Sequence, residues 1–198
     1  MGRKELSTLS DGELVRRAQS GDLAAFEAIY DRYHPRLYRL LYGMLNNPAD
    51  AADLTQEVFL RAYSDLERLR PESNLYGWLR KTAVNLGIDQ LRRQKVLKFE
   101  SLDVPLENEE GSPFALQIED VKSDPHTLLE QRGLQEAVQK ALGYLTPDHR
   151  AVVAMHYLEG MEVEEIASLV GVPVGTVKSR LARARNALRR YLAPYVEG

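Results

Sequence analysis

Apolar residues return every three or four positions along most of this chain, and no stretch alternates as a strand would. That periodicity restricts the fold to packed helices. LSDGELVRRAQSGD predicts a short helix capped by Ser10 or Asp11, with Gly21 past its end. From Asp22, the residues Phe26, Ile29, Tyr33, Leu37, Leu40, Leu41 and Met44 form one long stripe. Pro35 lies inside that stripe and should kink or divide it. NNPAD ends the segment, and Asp50 to Leu69 predicts another helix with Leu54, Val58, Ala62 and Leu66 inward. RPESN reads as a loop, followed by a helix from Asn74 to about Lys98.

The texture then changes. Residues 99–126 lack a steady period and carry three prolines. From Glu100 to Glu130 there are nine acids against the single base Lys122. Such a stretch reads as a linker. A second helical block begins at Thr127. The expected architecture is all-α: two small helical domains, residues 1–98 and 127–198, joined by an acidic flexible linker over 99–126. The second is a helix-turn-helix domain.

Composition narrows the chemistry. The chain has no cysteine, which excludes disulfides, thiolate metal sites and thiol redox sensing. No run approaches the roughly 20 apolar residues of a membrane span, and residues 1–20 lack an apolar signal core. The chain is expected to be soluble and cytoplasmic. His34, His126, His149 and His156 are scattered, and two histidines seven apart do not make a metal site. No HExxH, P-loop, nucleophile elbow or GxGxxG occurs. No cofactor or metal is implied.

The charge near the end is different in kind. VGVPVGTVKSRLARARNALRR holds six bases and no acid. Val163, Ile166, Ala167 and Val170 form one apolar face, Gly171 permits a sharp turn, and Val177, Leu181, Ala184 and Leu188 form the next face. Two short amphipathic helices around a glycine turn are a helix-turn-helix pattern. With the stripe inward, Gly175, Ser179, Ala182 and Asn186 point outward, beside Thr176 and Arg183. Small outward residues suit a major groove about 12 Å wide. Lys178, Arg180, Arg185, Arg189 and Arg190 lie on the flanks, within reach of phosphates. Thr176, Lys178, Ser179 and Arg183 lie where recognition helices meet base edges. A solvated basic helix closing a bundle is the plain alternative, but such helices normally mix signs.

Three long stretches together carry a resemblance. They are GDLAAFEAIYDRYHPRLYRLLYGMLNNPADAADLTQEVFLRAY, GWLRKTAVNLGIDQLRRQ and LTPDHRAVVAMHYLEGMEVEEIASLVGVPVGTVKSRLARARNAL. In this order they resemble a bacterial extracytoplasmic-function (ECF) sigma factor of RNA polymerase. The resemblance covers most of the chain outside the linker and the two termini. It implies an N-terminal region-two domain that binds core polymerase and opens the −10 element. It implies a C-terminal region-four domain that reads the −35 element as duplex. The linker would thread through polymerase, and the chain would be no enzyme by itself. An anti-sigma protein is an expected further partner, and membrane insertion is not expected.

The resemblance also distributes roles. Thr176, Lys178, Ser179, Arg180, Arg183 and Arg185 would meet the −35 duplex. Arg70, Glu72, Ser73 and Asn74 would form the −10 pocket, with Asn85, Asp89, Arg92 and Arg93 along the next helix. Opening a duplex requires a base to leave the stack and be received by such side chains. Trp78, the one tryptophan, reads as core more readily than as a stacking platform. Asp50, Asp53 and Glu57 share a helix face. They could be a solvated helix start or, weakly, a metal site, whereas the resemblance places Asp53, Gln56 and Glu57 near the polymerase surface. Two rival functions stay open at this level. One is a stand-alone helix-turn-helix transcription regulator; the other is a metal-dependent nucleic-acid enzyme using the acids near Asp53.

Overall fold

The computed structural model describes residues 6–100, 138 and 140–196, with side chains up to residue 94 in the first stretch and 192 in the last. Among these residues lie the helices α1 (Asp11–Gln19), α2 (Leu23–Leu45), α3 (Pro48–Ser64), α4 (Leu75–Glu100), α5 (Pro147–Val153), α6 (Val163–Val170) and α7 (Val174–Val196), and residues 138 and 140–143 are helical as well. A 3-10 turn, Leu66–Arg68, follows α3, and α5 runs on into a π turn, Ala154–Leu158. No strand occurs among the described residues. The linker reading falls largely outside them. Residues 99 and 100, assigned to the linker, continue the backbone of α4.

Local chemistry sets the helix ends. Ser10 caps α1 by accepting from the Glu13 amide, and Asp22 caps α2 by accepting from the Ala24 amide. Asn46 closes α2 in the left-handed conformation, φ 53°. Asn47 then caps α3 through the amides of Ala49 and Asp50, and Pro48 occupies the first turn. Thus α3 starts at Pro48 rather than Asp50. It ends at Ser64 rather than reaching Leu69, because the chain tightens into the 3-10 turn.

Pro35 neither stops nor divides α2, which runs unbroken over 23 residues. The proline removes one hydrogen bond. Ile29 before it and Leu37, Leu40 and Leu41 after it are nevertheless buried in the same core.

Helix α2 is the axis of the molecule. It packs against α1, α3 and α4 on the N-terminal side, and against α5 and the π turn of the C-terminal block. The buried apolar residues of both blocks form one continuous cluster. The two blocks are therefore in contact, and parts of the joint are tight. A Cβ on Gly43 would stand 2.8 Å from Leu158 and 3.3 Å from Ala154 of the π turn.

Candidate nucleic-acid and polymerase interfaces

The helix-turn-helix forms as its pattern requires. Gly171 ends α6 at φ 74°, and its amide and that of Val172 both return to the Ala167 carbonyl. Pro173 leads into α7, and its carbonyl accepts from the amides of Thr176 and Val177. Ile166 and Ala167 of α6 and Val177, Leu181 and Ala184 of α7 are buried. Val163, Val170 and Leu188 pack partly buried against the same core.

That packing decides which side of α7 faces solvent. Gly175, Lys178, Ser179, Arg183, Arg185, Asn186, Arg189 and Arg190 are exposed, and Thr176 and Ala182 are half-buried. Arg180 departs from the group. Its guanidinium lies 3.1 Å from Asp148 at the start of α5, with its side chain only 20% exposed. It ties α7 to α5 instead of projecting freely. His149 sits beside this pair. Burial, followed by the charges of Arg180 and Arg183, pushes its imidazole below the ordinary value.

The loop before α4 is braced from behind. The Gln19 side-chain amide donates to the carbonyls of Leu66 (2.9 Å) and Leu69 (2.8 Å). Gly12 lets α1 approach closely, since a Cβ there would stand 2.5 Å from the Pro71 carbonyl oxygen. Leu69 and Leu75 are buried at the loop's two ends, while Glu72, Ser73 and Asn74 are exposed at its tip. Two tip side chains already have local work. Asn74 accepts from the Gly77 amide at 2.8 Å and so caps α4, and the Ser73 hydroxyl donates to the Arg70 carbonyl at 2.6 Å. Glu72 makes a loose, exposed ion pair with Arg16 at 3.6 Å.

Along α4, Leu79, Ala83, Val84, Leu86, Ile88 and Leu91 are buried. Asn85, Asp89, Arg92 and Arg93 fall at i, i+4, i+7 and i+8, and all four are exposed. The structure therefore brings this group onto one exposed face of α4. Within it, Arg92 stands 3.6 Å from Asp89. Trp78 is partly buried and packs against the core, as a structural residue would.

The acids of α3 separate into different jobs. Asp50 accepts from the Gln94 side chain at 2.9 Å and fastens α3 to α4. Glu57 pairs with Arg61 at 2.8 Å. Asp53 and Gln56 are exposed. Sequence reasoning missed their neighbours Leu60 (63% exposed) and Tyr63 (55% exposed). Leu60 lies seven residues after Asp53, so the helical period itself could have found it. Among the described residues, no group of three or more histidines, aspartates or glutamates could hold a metal ion.

The fold and α7 define a helical protein built around a DNA-binding helix-turn-helix. Comparison with known proteins gives the class its name. Residues 29–96 match Sigma-70 region 2, and residues 135–188 match Sigma-70, region 4. The chain is 33% identical over 178 residues to the ECF RNA polymerase sigma factor SigW of Bacillus subtilis (strain 168), covering 90% of this chain and 94% of that one. It is 32% identical over 192 residues to the ECF RNA polymerase sigma-E factor of Escherichia coli (strain K12), covering 95% and 97%. Among solved structures, it resembles the sigma factor RpoE in complex with the anti-sigma factor NepR from Bartonella quintana. That likeness has a TM-score of 0.58 at 25% identity, covering 85% of this chain and 96% of that one. The chain belongs to the ECF sigma factors, and its function is promoter-specific initiation of transcription by RNA polymerase.

Proposed function

We propose that the two blocks divide the work of initiation, with the N-terminal domain gripping core polymerase and opening the −10 element while the C-terminal domain reads the −35 duplex. The observation that carries this division is α7: cationic, free of acids, and presenting small residues at its outer edge. Lys178, Ser179 and Arg183 meet base edges together with Thr176. Arg185, with Arg189 and Arg190, meets phosphates. Arg180 acts mainly by setting the angle of α7 through Asp148.

In the −10 reader, the loop tip offers Arg70 and Glu72, and Asn74 serves both as helix cap and as part of the pocket wall. Asn85 and Asp89 line the approach, and Arg92 and Arg93 hold the strand's backbone. Asp53, Gln56 and Glu57 form the polymerase contact, with Leu60 as its apolar centre. An anti-sigma protein is a further proposed partner, supported by the RpoE relative's complex with NepR. The proposed setting is the cytoplasm, where polymerase and promoter lie. No helix among the described residues is long and apolar enough to cross a membrane. No catalytic step is assigned to the chain itself.

The test adds the purified chain to core polymerase on a library of promoter fragments, with core alone as control. New start sites that need the chain are expected, and Glu57→Arg should abolish them by weakening core binding. Undiminished core binding by Glu57→Arg would remove the α3 face from the account.

A further inference from the structure

Helix α1 meets the loop before α4 along one of its faces. Gly12, Arg16 and Gln19 fall at i, i+4 and i+7 and so share that face. Gln19, the last residue of α1, holds the loop by attraction. Its side-chain nitrogen donates to the carbonyls of Leu66 (2.9 Å) and Leu69 (2.8 Å). An amide nitrogen carries two hydrogens, so both are used, and the oxygen end cannot take the nitrogen's place before two acceptors. The orientation of the side chain is thereby fixed. Gly12 holds the loop by contact: a Cβ there would stand 2.5 Å from the Pro71 oxygen and 3.3 Å from its carbon, both backbone atoms. The two contacts lie about 10 Å apart along the helix. Between them Arg16 pairs with Glu72 at 3.6 Å, but both side chains are largely exposed, and such a pair holds little.

Helix α1 is itself firmly seated. Leu14, Val15 and Ala18 are buried in the core. Asp11, at its start, accepts from the Arg32 guanidinium of α2 at 2.5 Å and from the Tyr33 hydroxyl. Arg32 also donates to the carbonyls of Ser7 (3.0 Å) and Leu9 (2.8 Å), just before α1 begins. The loop therefore leans on a bar that α2 keeps in place.

We propose that Gln19 is a positioning residue for −10 recognition: through it, with Gly12 as a stop against Pro71, α1 sets the shape of the pocket at residues 70–74 without touching the strand. The inference rests on the −10 role proposed above for that loop. A pocket that receives one unstacked base must hold its polar groups within a fraction of an ångström, and groups on a loop do so only when something rigid supports them. The loop closes one turn on itself, from the Ser73 amide to the Arg70 carbonyl at 2.9 Å. Its exposed tip gains the rest of its order from the residues behind it, and ordering it in advance lowers the cost of taking up a base. The weak Arg16 pair leaves Glu72 available to that base. A purely stabilising Gln19 predicts something different. Its loss would lower the folded fraction and weaken the binding of every strand alike, leaving the preference between strands intact.

The test uses core polymerase assembled with the full chain and titrated with fluorescent single-stranded oligonucleotides. One set carries the −10 sequence of a promoter recovered with the wild-type chain, and the other has one base of it changed. Thermal melts verify folding, and affinities for core polymerase and for the −35 duplex are measured alongside. Gln19→Leu removes both donors at similar size. It should weaken binding of the matched strand about tenfold or more, as a small misplacement of a binding group does, and bring the matched and altered affinities together. Its affinities for core polymerase and for the −35 duplex should be unchanged. Gly12→Ala should act in the same direction by pushing on Pro71, although alanine is the better helix former. An unchanged ratio of matched to altered affinity in folded Gln19→Leu would overturn the positioning role. Should that variant fail to fold, an unchanged ratio in Gly12→Ala would overturn it instead. A ratio near one in the wild-type chain would remove the −10 pocket itself, and the positioning role with it.

Discussion

The two helices offered to promoter DNA, α4 and α7, share a design up to a point and then differ. Each buries one apolar stripe and presents the opposite face to solvent. On α7 that face carries arginines and a lysine among small residues, with no acid. On α4 it carries Asn85, Asp89, Arg92 and Arg93, with Asp89 close enough to Arg92 to hold some of its charge. A duplex attracts a helix through its regular phosphates, so uniform positive charge serves α7. Receiving a single base needs donors and acceptors of both kinds, which α4 and residues 70–74 would supply under the proposed assignment. Under the proposed division, charge alone would mark the duplex reader, whereas the strand-opening site would be marked by its placement.

The largest way to break this comparison is to remove the stripe beneath one face only. Leu181→Ala should cost about 2–5 kcal/mol of stability by leaving a cavity under α7. Denaturant melts should show that loss, and duplex binding should fall with it. Next comes the face itself. Arg183→Ala should weaken binding to the −35 duplex by about 1–3 kcal/mol, while Asn85→Ala should leave duplex affinity unchanged and reduce permanganate-detected opening at −10. Equal effects of both variants on duplex affinity would erase the distinction between the helices. A smaller effect concerns salt. Arg189→Ala should lower the slope of log affinity against log salt by about one, and Arg92→Ala should not change it for the −35 duplex.

The smallest effect compares one histidine from each domain. His34, stacked between Tyr30 and Tyr38, and His149 are both depressed below the ordinary imidazole value, chiefly by burial. A depressed histidine adds stability that is complete above its unfolded value, near pH 6.5, and is lost as pH falls through the folded value. Thermal midpoints should therefore decline on acidification below about pH 6.5. In Arg183→Ala, nuclear magnetic resonance titration should find the His149 value raised and that of His34 unmoved, because Arg183 acts only on the former.

Much of this was legible before the structure. The faces of α6 and α7 followed from spacing alone, because each helix has one apolar stripe and one glycine-capped turn lies between them, although α7 runs to 23 residues rather than being short. Pro35 does not divide α2 for a physical reason: a lost hydrogen bond is a local cost, whereas the core on both sides of it is a collective gain. Arg180 could not be separated from its neighbours, since its partner Asp148 lies 32 residues away. The charged contacts across the joint were hidden more deeply. Glu159 finds Tyr76 across 83 residues and Arg36 across 123, and nothing in a run of charges says which distant opposite it meets. The same holds for Arg150, whose acceptors are carbonyls that any residue supplies.

The most direct test of the division between the helices is transcription by core polymerase plus the full chain from a matched promoter and from versions altered at −35 or at −10. Wild-type chain should respond to both alterations. Arg183→Ala should lose its response to the −35 change while keeping its response at −10. Retained discrimination at −35 by Arg183→Ala, or lost discrimination at −10, would contradict the assignment of α7 to the duplex and of α4 with its loop to the opened strand.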